Sequence, residues 1–270
     1  MASIFFPVDH LSTAEEVTGQ IETLILEGIL DAGSRLPSER DLAQQLNVSR
    51  PILRDALKAL ETRGFLTTGR SGTHVADVIG EVFRQPMISL ISSNPKALAD
   101  YLDYRRELEA VAAAFAAERA TDEDRAMLTA IMKRMEDAHL SGAFDVEAAC
   151  DVEFHTGICE CTHNLFLIHT LRACYRLLAA GVFSLRELIY QKADARQALF
   201  DQHTAIYDAV MRGDPPAARQ AAISHIDFVA KAATKLADHE SRARVSRLRL
   251  MQRGIVPEQA GSSRQNGDDA

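Results

Sequence analysis

At 270 residues the chain is long enough for two modest domains, each with a core of its own. Its composition, 47% hydrophobic and 25% charged, is ordinary for a soluble globular protein, and no apolar run approaches the roughly 20 residues of a membrane span. The net charge of −8 at first sight argues against a nucleic-acid partner, yet residues 35–76 hold seven basic side chains against four acidic ones, a local +3.

Local field governs docking, and an acidic remainder limits non-specific DNA binding, so the global charge is a weak objection. MASIFFPVDH has no basic start and no long apolar core, so a secretory signal is not expected and the cytoplasm is. Trp is absent while Ala and Leu abound, which favours helix. Cys150, Cys159, Cys161 and Cys174 lack paired CxxC spacing and are read as reduced, mostly buried thiols.

In chain order, residues 1 to about 12 read as a loose arm. Ser12 or Thr13 can cap a helix to about Glu27, with Val17, Ile21, Leu24 and Ile25 on one face. The stretch from Leu36 to Val75 then organises the first domain. Ser38 and Asp41 form a capping-box pattern, and Leu42 and Leu46 give a short helix its inward stripe. Asn47-Val48 makes a tight turn. Ser49 is expected to cap a second helix, in whose first turn Pro51 is tolerated. Leu53, Ala56, Leu57 and Leu60 form its apolar face, while Ser49, Arg50 and Arg54 begin the other. Gly64 ends it, and two β-prone runs flank Gly69-Arg70-Ser71-Gly72, a hairpin signal. Such a helix can dock on phosphate and reach a guanine edge with an arginine, while the hairpin follows the neighbouring backbone.

These residues resemble a known family. PSERDLA, NVSRPILRDAL, LETRGFL and GRSGTHV are similar to the winged helix-turn-helix of the GntR family of bacterial transcription regulators. The resemblance implies DNA contacts from Arg40, Arg50 and Arg54, with Ser49 and Pro51 alongside and Gly72, Thr73 and His74 at the wing tip. Pro51-Ile52 stands where many members carry Thr-Pro; Pro51 cannot donate a backbone hydrogen bond, so its phosphate contact or base preference differs.

After a short connection, Ala76 to Gly80, almost everything reads as helix. Segments are expected near 81–91, from the Ser92-Ser93-Asn94-Pro95 breaker to about Ala120, and from the Thr121 cap to about Leu140. Others follow at 145–160, 164–180, 183–190 and 194–212, then from Pro215-Pro216 to about Glu240. Arg242, Arg244, Arg247, Arg249 and Arg253 decorate a possible helical extension, read as a solvated face, and the end from about Val256 reads as disordered.

Within this second part, Asp151 and His155 lie at i and i+4 on one helix face, and His203 and His225 sit in apolar helical segments. One carboxylate and three imidazoles from three helices can bind a divalent transition metal and leave positions open. Each histidine alone is more often a hydrogen-bonded core residue. The region resembles the FadR-type (FCD) C-terminal domain of the same family, an all-α bundle whose DxxFH…H…H pattern marks a metal site. Asp151, His155, His203 and His225 match it one by one, and Arg105 and Asn164 match the arginine and asparagine that lie by the family's effector pocket. The resemblance is strongest to the pyruvate- and lactate-responsive branch and leaves the effector open between them.

The resulting expectation is a mainly α protein: a winged helix-turn-helix over 1–76, an all-helical effector-binding and dimerisation domain over 77–240, and a basic, then disordered tail over 241–270. It would be a homodimeric repressor of organic-acid metabolism genes, released from double-stranded operator DNA by a small carboxylate beside a divalent metal, zinc first, nickel or manganese as alternatives. The competing readings are a constitutive DNA-binding protein with a purely structural metal and, from another class, a metal-dependent enzyme. Against the enzyme, no nucleophile–base pair of recognisable spacing stands out.

Overall fold

The computed structural model describes residues 14–77, 85–177 and 193–253. The expected arm, the Ser12/Thr13 cap, the segment at 183–190 and the tail from 254 lie outside the described residues.

The first unit runs α1 (Ala14–Leu26), α2 (Glu39–Gln45), α3 (Arg50–Thr62), β1 (Leu66–Gly69) and β2 (Gly72–Val75). Its core joins Val17, Ile21, Leu24 and Ile25 of α1 to Leu42, Leu46, Leu53, Ala56 and Leu60, with Leu57 packed against it. Asn47 takes the left-handed conformation, φ 53°, that lets the chain turn sharply between α2 and α3. The strands pair antiparallel, Leu66 opposite Val75 and Gly69 opposite Gly72, so Arg70-Ser71 is a two-residue turn. Residues 33–36 lie along β2: Leu36 N–H donates to Thr73 and Val75 N–H to Ser34.

The second unit is helical: α4 (Gln85–Ser93), α5 (Pro95–Arg119), α6 (Asp122–Ser141), α7 (Phe144–Glu160), α8 (Leu165–Leu177), α9 (Ala193–Met211) and α10 (Pro215–Gln252). Asn94 caps α5 through the N–H groups of Lys96 and Ala97, and Thr121 with Asp124 closes a full capping box on α6. The alanines of α5 (Ala112, Ala113, Ala116, Ala117) let Phe154, Ile158, Ile206 and Val210 approach a narrow backbone, and with Leu128, Met135 and Leu171 they form one core. All four cysteines are free and buried. α10 continues to Gln252, past the expected end near Glu240, because the arginine-rich stretch contains no Gly or Pro and arginine is a good helix former.

One face of α8 docks on the first unit. His169 Nε2 lies 2.9 Å from the Leu26 carbonyl oxygen, and Arg172 Nη1 donates to that of Gly28 at 2.7 Å, both at the end of α1 where exposed carbonyls favour cationic donors. Arg172 also pairs with Asp31 and Glu160, and Arg176 with Asp77. Gly28 has φ +70°, which favours glycine, and a Cβ there would stand 2.4 Å from Arg172 Nη1, so the guanidinium would have to shift to admit one.

Candidate metal centre and DNA-reading surface

The donor cluster is assembled from three helices. Asp151 and His155 project one turn apart from α7, His203 from α9 and His225 from α10, each at most 3% exposed. His155 Nε2 and His203 Nε2 are 3.2 Å apart, and Asp151 Oδ1 lies 3.2 Å from the first and 3.1 Å from the second. One ligand atom from each histidine falls within 4.8 Å of the others. Bonds of about 2.0–2.1 Å to one ion place neighbouring donors about 2.9–3.4 Å apart, so these separations fit a shared divalent cation. Phe154 packs edge-on against both His155 and His203, fixing the rings from the apolar side.

Two further residues hold the rings from behind. Glu109 Oε2 is 3.0 Å from His155 Nδ1, and Gln202 Oε1 is 3.1 Å from His225 Nδ1, which leaves Nε2 of each ring to the cluster. Neither was marked as a site residue from the sequence, although Glu109 lies one helical turn after Arg105 and Gln202 directly precedes His203. Burial disfavours the Glu109 carboxylate, but Arg105 and then His155 outweigh it and hold its pKa far below the usual range. Burial, with His203 and His155 adding, pushes His225 well below an ordinary imidazole, toward the neutral form a metal requires.

Beside the cluster, among the described residues, Glu109, His155, Ile158, Cys159, Tyr175 and three alanines enclose a cavity of about 10 Å³, room for roughly one water. Arg105, expected to face an effector, is buried with its Nε donating to Glu109 Oε1 and its guanidinium over the Tyr175 ring. Asn164 stands away from that lining: its Oδ1 accepts the Leu167 N–H at 3.1 Å and caps α8.

On the first unit, Arg40, Arg50, Arg54, Ser49 and Pro51 are exposed around the start of α3. Ser49 has the extended backbone of an N-cap but makes no side-chain cap hydrogen bond, contrary to expectation; it is exposed and is followed two residues on by Pro51, which has no N–H to offer. Glu39 pairs with Arg54 Nε at 2.8 Å and Arg50 Nη2 at 3.4 Å, aligning both arginines on one side of the helix pair. At the wing, the tip is Arg70-Ser71; Gly72, Thr73 and His74 belong to β2, where His74 bridges to Arg35. The tight two-residue turn shifts the tip back from the positions expected.

Comparison with known proteins fits both halves. Residues 13–75 match the model described as bacterial regulatory proteins, gntR family, and residues 100–228 match the FCD domain. The putative L-lactate dehydrogenase operon regulatory protein of Escherichia coli K12 is 35% identical over 241 residues, 87% of this chain and 92% of its own. The Glc operon transcriptional activator of the same strain is 34% identical over 221 residues, 80% and 87%. The regulator LutR of Bacillus subtilis is 27% identical over 208 residues, 76% and 94%. The chain therefore belongs to the GntR family of bacterial transcription regulators, in its FCD-domain branch: a DNA-binding regulator and not an enzyme.

Proposed function

We propose that this regulator is a homodimeric repressor of organic-acid metabolism genes whose second domain senses a small 2-hydroxy or 2-oxo carboxylate beside a divalent metal. The observation that carries the reading is the convergence of Asp151, His155 and His203 at 3.1–3.2 Å donor spacings in a buried site, with a His225 nitrogen within 4.8 Å of the other two histidines. A metal held there would supply Lewis-acid affinity for a carboxylate and its neighbouring oxygen. Arg105, on α5 and ion-paired with Glu109, would offer its guanidinium to the same anion only by sharing it with that carboxylate. Similar proteins are named for an L-lactate dehydrogenase operon and a Glc operon, the second as an activator, so the sign of control is part of the proposal.

Coupling follows from the size of the cavity. About 10 Å³ does not admit a two- or three-carbon acid, so binding requires the wall to move. Tyr175 on α8 is part of that wall, and His169, Arg172 and Arg176 of the same helix hold the first unit. An acid that displaces Tyr175 shifts α8 and with it the docking of the DNA-reading unit. The effector then favours the undocked arrangement by its differential affinity, as a two-state switch requires.

The same small cavity favours a second reading, a constitutive regulator with a structural metal. Operator fragments selected by footprinting, titrated with metal-replete protein by fluorescence anisotropy, separate the two. A right-shift of the isotherm with L-lactate or glycolate supports the sensor. Identical isotherms with every small acid leave the structural metal.

A further inference from the structure

The Arg105–Glu109 pair is fully buried on one helix, and buried ion pairs are costly to keep unless they do something besides stabilise. Its geometry gives that second task. Glu109 turns one oxygen to Arg105 of its own helix α5 and the other to His155 Nδ1 on α7, at 3.0 Å. With that bond made, the His155 ring can neither flip nor present Nδ1 to the cluster, and Nε2 stays beside Asp151 Oδ1 and His203 Nε2. His225 has a neutral counterpart in Gln202, on a more accessible edge of the site. The two orienting groups therefore differ in charge and rigidity: one is an anion clamped by a guanidinium, the other an amide.

We infer that Glu109 is the positioning residue of this metal centre: Arg105 fixes its carboxylate, and the carboxylate fixes the tautomer and orientation of His155. The inference rests on the metal reading above and adds to it a role for Arg105 that precedes any contact with an effector. A ligating histidine whose other ring N–H is held by a carboxylate binds metal more tightly, and loss of such a partner costs about 10- to 100-fold in affinity.

The test uses full-length protein and two substitutions, Glu109→Gln and Glu109→Asp, with Zn²⁺ affinity measured by chelator competition and Co²⁺ absorption spectra recorded alongside. Glu109→Asp keeps the charge but is too short to reach Arg105 and His155 together, and it serves if Glu109→Gln does not fold. The expected result is one equivalent of metal in the wild type, about 10- to 100-fold weaker binding in either variant, and a shifted Co²⁺ ligand-field band. Wild-type affinity and an unchanged Co²⁺ spectrum in a variant that merely melts earlier would overturn the inference and reduce the pair to a structural one. Absence of metal binding by the wild type would instead overturn the metal reading itself, and the inference with it.

Discussion

Arg172→Ala is the perturbation that most directly probes how the two units are joined. The side chain is 14% exposed and donates to the Gly28 carbonyl at 2.7 Å and to Glu160, with Asp31 at 3.2 Å. Asp31 is 76% exposed, so its share is small. A hydrogen bond from a charged donor contributes about 1.5–3 kcal/mol, and only the one to Gly28 crosses between the units, since Glu160 lies on α7 beside α8, giving about 1.5–3 kcal/mol for the docked state. The undocked population should then rise about 10- to 150-fold. Hydrogen exchange read by mass spectrometry would show this as faster exchange in peptides covering the end of α1 and residues 27–34, with the core of α3 unchanged. Gly28→Ala should do the same from the other side, since its Cβ would collide with Arg172 Nη1 at 2.4 Å. Unchanged exchange at residues 27–34 in both variants would refute the docking role. Uniformly faster exchange across the second unit would make Arg172 a brace for Glu160 alone.

Other outcomes follow from the same geometry. Phe154 is fully buried and edge-on to two cluster histidines, so Phe154→Ala should cost about 3–5 kcal/mol in thermal or urea unfolding; less than about 1 kcal/mol would mean the site does not lean on it. Arg50→Ala should cost about 1–3 kcal/mol at one base pair of the operator, whereas equal loss on random DNA would make Arg50 a phosphate anchor. Glu39→Gln, which frees Arg50 and Arg54 from a carboxylate, should raise affinity for random DNA, and a fall would show that Glu39 aligns rather than restrains them. Burial, with Asp124 and Glu160 adding, pushes the Cys161 thiol up to about 12. A raised folded pKa gives stability that is full below the unfolded value of about 8.5 and lost as pH climbs toward the folded one, so Tm should decline above that point. Rapid reaction of native protein with a thiol reagent at pH 8 would contradict this burial.

Much of this architecture is written locally. The apolar spacing of α1 and α3, the Thr121 capping box and the i, i+4 placement of Asp151 and His155 are short-range patterns, and each maps directly onto a helix face. His203 and His225 were candidates by residue type and setting, but it was the family resemblance that tied them to Asp151 and His155, since periodicity does not say which apolar helices meet. Glu109 was hidden for the opposite reason: on α5 it reads as an ordinary i, i+4 partner of Arg105, and its reach to α7 appears only when the helices pack. Ser49 illustrates how a residue with the right type and backbone can leave its cap unmade. The Arg172–Gly28 contact joins positions 144 residues apart, beyond any local pattern.

On the proposed function, the buried Asp151, His155, His203 and His225 cluster is a metal-dependent receptor for a small acid. Calorimetric titration of metal-replete protein with pyruvate, L-lactate, glycolate and a dicarboxylate tests it most directly, beside Arg105→Ala and a His155→Ala, His203→Ala double variant. The expected result is micromolar binding of one hydroxy or oxo acid, lost in both variants together with the metal in the second. Full metal content in the double variant, or an acid that binds it as tightly as the wild type, would contradict it.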